Sequence, residues 1–291
     1  MSLDITNMGT VTFMLDGQEV TAYEHETIWD VAKRVGTHIP HLCHKDVPDL
    51  RSDGNCRACV VEVEGERTLT ASCVRKPSDG MVVSTGNERV QTNREMVFEL
   101  LASDMPARQT SPDPDSHFWK QYDVVAQAAA APVEAPRYPS GRPGAQKEIP
   151  VDSIFHDASH PSISVNLDAC ISCELCTRAC RQVQVNDVLG MSDRGMATMP
   201  VFDVDDPMGL STCVGCGECV QACPTGALME KTLLNDTATK REVYADEVKK
   251  SVCPFCGVGC QTEVSLKGEE IVKVDGRDGP GNRSKLCIKG R

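Results

Sequence analysis

The sequence predicts an α+β protein made of several small domains, each assembled around metal rather than around a large apolar core. Three observations point there. The 291 residues carry 16 cysteines, and all of them fall into four groups of four. Aromatic residues are only 4% of the chain, too few for one large core, so bound cofactors are expected to supply stability that small cores lack. Stretches with the period of a strand alternate with short stretches of helical period.

Composition also excludes partners. The net charge is −12, which repels a nucleic-acid backbone. The start, Met-Ser-Leu-Asp-Ile-Thr-Asn, has no basic region, apolar core or twin arginine of a leader. No apolar run approaches the roughly 20 residues of a membrane span. A soluble cytoplasmic protein is expected, with no membrane and no nucleic acid as partner.

Residues 11–24 alternate through Val11, Phe13 and Leu15, turn at Asp16-Gly17 and resume at Val20, which predicts a β-hairpin. Thr27 caps a short helix whose Ile28, Val31, Ala32 and Val35 share one face. Strands follow at Val60–Val63, Leu69–Ser72 and Met81–Ser84. Hairpin, helix and returning strands are the parts of a β-grasp ferredoxin domain over residues 1–87. Its cysteines are Cys43, Cys56, Cys59 and Cys73. The first gap is longer than the four residues of the plant-type ferredoxin pattern, yet one C-x2-C with two partners on long loops suits a [2Fe-2S] cluster. Gly54 lets the backbone approach the sulfurs. A zinc site of the same spacing is the alternative. His41 and His44 flank Cys43 but are read as solvated loop residues without a role.

A helix is expected over Glu88–Ser103, with Val90, Met96, Val97, Leu100 and Leu101 as its apolar residues. A brief one follows at His117–Val125, with Trp119 and Tyr122 as packing anchors. The whole of 88–150 is read as this helix followed by a Pro/Ala-rich linker.

Within residues 151–246 stand two near-identical runs, Cys170-Ile-Ser-Cys173-Glu-Leu-Cys176-Thr-Arg-Ala-Cys180 and Cys213-Val-Gly-Cys216-Gly-Glu-Cys219-Val-Gln-Ala-Cys223-Pro224. Both are C-x2-C-x2-C-x3-C, the bacterial two-cluster signature, in which the fourth cysteine serves the other cluster. Cys170, Cys173, Cys176 and Cys223 are therefore paired around one [4Fe-4S], and Cys213, Cys216, Cys219 and Cys180 around a second. Zinc knuckles contribute two ligands each, and disulfides need an oxidising compartment; neither fits. A pseudo-two-fold α+β domain follows, each half giving a short hairpin and a helix. Met191, Met196 and Met199 between the runs are read as filler. Arg178 and Arg181 offset cluster charge or lie on a solvated face.

The last stretch, residues 247–291, has Cys253-Pro-Phe-Cys256-Gly-Val-Gly-Cys260 and, after two expected strands (Gln261–Leu266 and Glu270–Val274), Cys287-Ile-Lys289-Gly-Arg291. Cys253, Cys256, Cys260 and Cys287 are assigned to a third [4Fe-4S], zinc again being the alternative. The chain stops four residues after this ligand, which is odd for a finished domain.

Together the four groups resemble the N-terminal part of the catalytic alpha subunit of cytoplasmic NAD-dependent formate dehydrogenases, relatives of the large iron–sulfur subunit of complex I. The match lies in Gly54-Asn-Cys56-Arg-Ala-Cys59-Val-Val-Glu-Val-Glu-Gly65, in Cys223-Pro-Thr-Gly-Ala-Leu228, and above all in Cys253-Pro-Phe-Cys256-Gly-Val-Gly-Cys260 with Leu286-Cys287-Ile-Lys289-Gly-Arg291. The resemblance implies that the last segment opens a pterin-binding domain and that Lys289 lies between cluster and pterin. It implies a bis-pterin molybdenum or tungsten site in further domains of the alpha subunit, and a beta subunit that binds FMN and NAD. No residue here is expected to be catalytic. The function implied is electron transfer from the metal–pterin site, where formate is oxidised, to the flavin partner. The alternative is a stand-alone iron–sulfur subunit of a hydrogenase, diaphorase or complex I-like assembly. Many members of the family carry a further cluster with one histidine and three cysteines after the helix ending near Ser103. Here no cysteine occurs between Cys73 and Cys170, and His117 alone cannot hold one. The chain is expected to be either a fragment or a separately encoded electron-transfer piece.

Overall fold

The structure, a computed structural model, describes residues 9–47, 50–128 and 156–291. They divide into two compact units, 9–103 with 117–128 and 104–116 with 156–291.

In the first unit, β1 (Thr10–Leu15) and β2 (Gln18–Tyr23) pair through Asp16 and Gly17, both left-handed at φ 49° and 81°. That backbone matches the twist of the strands it joins. Helix α1 (Ile28–Arg34) starts with a reciprocal capping box, the Thr27 hydroxyl accepting from the Asp30 N–H and the Asp30 carboxylate from the Thr27 N–H at 2.8 Å. Strands β3 (Val60–Val63), β4 (Thr70–Ala71) and β5 (Val82–Ser84) complete a sheet of order β2-β1-β5-β3-β4, with β5 parallel to β1. Phe13, Leu15, Ile28, Trp29, Val31, Val61 and Val83 share one core beneath it. This is the α+β, β-grasp arrangement expected.

Helix α2 (Glu88–Ser103) departs from expectation. Its buried stripe is Val90, Arg94 and Phe98, whereas Met96 and Leu100 stay 56% and 46% exposed. Four-residue spacing puts 90, 94 and 98 above one another and turns 96 and 100 away. The second expected helix is longer than its sequence marks: α3 runs His117–Ala128. Phe118 packs on Phe98 with ring centroids 5.7 Å apart, and Trp119 and Tyr122 extend this aromatic cluster. The rest of the expected linker, residues 129–150, lies outside the described residues.

In the second unit, Asp113 pairs with Lys240 at 2.9 Å, so residues 104–116 pack there rather than acting as a free spacer. Strands β6 (His156–Asp157) and β7 (Ile163–Asn166) precede α4 (Leu175–Arg178), which runs on into a π-turn, Ala179–Val183. Hairpin β8 (Leu189–Ser192) and β9 (Met199–Phe202) leads to α5 (Glu218–Ala222) and β10 (Leu228–Glu230). Strand β10 pairs with β7, giving a sheet of order β10-β7-β6. The halves therefore interlock, with strands from the two ends of the repeat side by side and the hairpin between the two runs, instead of each half folding its own hairpin. Strands β11 (Glu247–Val252), β12 (Gln261–Lys267) and β13 (Glu270–Gly276) form a separate antiparallel sheet.

Candidate metal centres

The first cysteine set hangs on the β-grasp frame. Cys43 follows α1 on a loop, Cys59 immediately precedes β3, and Cys73 follows β4; all three are buried. The Cys43 N–H points at the Cys56 sulfur at 3.4 Å, and the Cys56 N–H at the Cys43 sulfur at 3.5 Å. Gly54, left-handed at φ +66°, lets the loop lie on Val74, where a Cβ would sit 2.9 Å from a methyl. A hydrogen bond from Cys73 is the main influence holding the Cys59 thiol down to about 7. Hydrogen bonds to Cys43 and Cys59 push Cys73 up, and one to Cys43 does the same for Cys56. The four sulfurs thus form one connected group, with Cys43 and Cys59 each neighbouring the other three.

The flanking histidines are half-buried rather than free in solvent. His41 and His44 stand edge-on to Trp29, with centroids 4.8 and 4.3 Å away, and His117 holds the His41 carbonyl at 2.7 Å. Burial is the main reason His41 titrates at about 4. They wedge the Cys43 loop against α1.

In the second unit the two repeated runs adopt one backbone. Ser172 and Glu174 are left-handed at φ 51° and 60°, and so are their counterparts Gly215 and Gly217 at φ 65° and 76°. This curl aims the Ser172 N–H at the Cys170 sulfur at 3.3 Å and the Gly215 N–H at the Cys213 sulfur at 3.4 Å. Burial is the largest influence raising Cys173 and Cys176, and the neighbouring thiols that add to it include Cys170 and Cys223. The thiols around Cys219 include Cys216, Cys213 and Cys180, and also Cys176. Thiols of the two runs are therefore neighbours across the repeat, and the runs share one core. A cavity lined by Cys170, Cys173, Cys176, Cys223, Met191 and Pro200 lies at the first set. Four sulfurs around a hollow, with amides aimed at them, fit a polynuclear cluster, whereas one zinc ion needs all four within about 2.3 Å of a point. Among the described residues no three His, Cys, Asp or Glu groups converge for a single ion.

Spacing left Arg178 and Arg181 undecided between two readings. Arg178 is buried and donates to the Cys173 carbonyl at 3.2 Å, while Arg181 is exposed and pairs with Asp187.

The last set is placed by the β11–β13 sheet. The Cys253 N–H bonds the Cys260 carbonyl at 2.8 Å. The thiols pushing Cys260 up, after burial, are Cys253, Cys256 and Cys287. Asn282, missed in the sequence, is the clasp. Its amide shares two hydrogens among the carbonyls of Gln261, Arg277 and Lys285 at 2.9–3.1 Å, and its oxygen accepts from the Gln261 N–H at 3.0 Å. Lys289 is exposed beside Cys287.

This segment is seated on α5. Gln221 exchanges two hydrogen bonds with the Leu286 backbone, and Lys285 reaches the buried Glu218 at 2.6 Å. Gly215 lies so close to Ile288 that an added Cβ would meet its Cδ1 at 2.5 Å. The Cys253/256/260/287 set is therefore joined to the Cys213/216/219/180 set through the loop carrying Cys287.

Comparison with known proteins matches three segments of the chain to family models. Residues 9–88 match the 2Fe-2S iron-sulfur cluster binding domain, 169–227 the 4Fe-4S dicluster domain, and 246–291 the molybdopterin oxidoreductase Fe4S4 domain. An NADH-quinone oxidoreductase subunit of Rhizobium meliloti (strain 1021) is 31% identical over 95% of the chain and 30% of its own length. The putative formate dehydrogenase YrhE of Bacillus subtilis (strain 168) is 29% identical over 97% of the chain and 31% of its own length. The chain thus spans about a third of the length of these curated relatives. A crystal structure of an NAD+-reducing [NiFe]-hydrogenase in the H2-reduced state superposes with a TM-score of 0.60 at 26% identity, covering 76% of this chain and 87% of that one. Among the described residues no helix is long and apolar enough to cross a membrane.

Proposed function

Because its segments belong to a 2Fe-2S, a 4Fe-4S dicluster and a molybdopterin oxidoreductase Fe4S4 domain, we propose that this chain is the electron conduit of a larger cytoplasmic, NAD-linked oxidoreductase. Cys43, Cys56, Cys59 and Cys73 hold a [2Fe-2S] cluster. Cys170/173/176/223, Cys213/216/219/180 and Cys253/256/260/287 hold one [4Fe-4S] each. When bound, these groups supply one-electron transfer, which no side chain of the protein performs.

Contacts between the sets support an order. The observation that carries the reading is the seating of Leu286–Ile288 on α5, which joins the Fe4S4 segment to the second ferredoxin run. That run in turn shares its core with the first through Cys176 and Cys219. The relay in this unit is therefore Cys253/256/260/287, then Cys213/216/219/180, then Cys170/173/176/223. Amides aimed at the sulfurs, together with burial, set how readily each set accepts an electron.

The enzyme we propose is a formate dehydrogenase. Formate is oxidised at a bis-pterin molybdenum or tungsten site in domains outside these 291 residues, with Lys289 between the nearest cluster and the pterin. The electrons leave to a subunit that binds FMN and NAD. The support is the Fe4S4 segment of molybdopterin oxidoreductases and the likeness to a putative formate dehydrogenase. The second reading, a subunit of a hydrogenase or complex I-like assembly, is favoured by the superposition on a hydrogenase chain. Anaerobically purified chain should contain about 14 irons with matching sulfide; zinc in place of iron would overturn the conduit. The native assembly should then reduce NAD with formate. Reduction by hydrogen but not by formate would replace the first reading with the second.

A further inference from the structure

The buried stripe of α2 has a cation at its centre. Arg94 sits between Val90 and Phe98 and is only 7% exposed. An apolar residue would fill that position without the cost of taking an ion out of water. The guanidinium donates to the Val60 carbonyl at 2.7 Å, one residue from Cys59, and its Nε is buried without a hydrogen-bond partner. Among the described residues no carboxylate hydrogen-bonds or ion-pairs with it: Glu62 on β3 is bonded to Asn87 and Arg89, and Asp16 accepts from the Thr85 N–H and hydroxyl. Burial lowers its pKa to about 10, with the Cys59 thiolate and then Asp16 acting the other way. It is therefore cationic at neutral pH, and the largest anionic influence on it is a proposed cluster ligand.

We propose that the Arg94 guanidinium is the fixed counter-charge of the [2Fe-2S] cluster held by Cys43, Cys56, Cys59 and Cys73, and that it raises that cluster's reduction potential. The inference rests on the cluster assignment made above. Reduction adds an electron to a group that is already anionic. A buried cation nearby stabilises the reduced form more than the oxidised one, and low local polarity strengthens the effect. Arg94 is not a ligand; it acts through Cys59 and the strand that carries it.

The test is a potentiometric titration of the full chain followed by EPR, for wild type and for Arg94→Gln, Arg94→Met and Arg94→Lys. Gln keeps a donor for the Val60 carbonyl without the charge, and Lys keeps the charge. In the Gln and Met variants the [2Fe-2S] equilibrium should move at least tenfold towards the oxidised form, about 59 mV for one electron. The [4Fe-4S] signals should stay in place, and Lys should restore most of the shift. Assembly of the cluster in Lys but not in Gln or Met would also support a requirement for the charge. An unchanged potential in Gln, or loss of the cluster in Lys as well as Gln, would overturn the inference and leave Arg94 a structural residue. A wild-type chain without any [2Fe-2S] signal would overturn the cluster assignment itself.

Discussion

Asn282 shows how one neutral side chain places two cysteines that lie far apart in sequence. It binds the backbone next to Cys260, the end of β13 and the loop before Cys287, and is 8% exposed. Asn282→Ala strands three carbonyls and one N–H in a buried site, a loss of roughly 3 kcal/mol. Asn282→Asp should be worse, since it aims a carboxylate oxygen at carbonyls that need a donor. Both should speed the loss of iron from the last set to a chelator, Asp more than Ala, with the [2Fe-2S] signal unaffected; equal rates in wild type and both variants would refute the clasp. Asn282 and Arg94 were invisible in the sequence for one reason. A polar residue in a loop or a helix reads as solvated, and only tertiary packing shows that it is buried. The cysteine groups were legible because their repeated spacing is written in the chain itself.

At the scale of elements, the repeat carries a built-in comparison. The same left-handed backbone is made with Ser172 and Glu174 in one run and with Gly215 and Gly217 in the other. Non-glycine residues pay about 1–2 kcal/mol for that conformation, and in the first run the Ser172 hydroxyl offsets part of it by bonding the Thr198 carbonyl at 2.9 Å. Gly217→Ala should therefore cost about 1 kcal/mol in urea melts of the loaded chain, whereas Glu174→Gly should be neutral or stabilising. Opposite signs would mean that the curl is imposed by the cluster and not resisted by the backbone. The elements that the sequence marked correctly had local causes: the Asp16-Gly17 turn, the Thr27 cap, and the alternation of β12 and β13. Strand β11, Glu-Val-Lys-Lys-Ser-Val, was missed because all six residues are exposed, so no buried face marks it. The α2 face was misjudged because hydrophobicity points to Met96 and Leu100, while packing chose the stripe through Arg94.

Across the whole molecule, the two units differ in what fills their cores. In the first, Phe13, Leu15, Ile28, Trp29, Val31, Val61 and Val83 pack with only Cys59 and Cys73 among them. In the second, the core contains Cys180 and Cys219, with Cys176, Cys213 and Cys223 packed against it, around a few aliphatic residues and Phe202. In the proposed assignment, removing iron would leave the five thiols of that core without metal and take away the bonds that tie one run to the other. Binding free energy in such a domain is folding free energy, and so small an apolar core has little to replace it. Stripping the metal anaerobically should therefore separate the units in hydrogen exchange. Amides of β7, β10, α4 and α5 should lose protection together, while those of β1, β2 and α1 keep most of theirs. The Leu286 amide, held by Gln221 on α5, should follow the ferredoxin runs, because its partner is lost with them. Retained protection at Leu286 beside an unfolded α5 would show that the last segment stands alone, and the contact on which the proposed relay order depends would have to be given up.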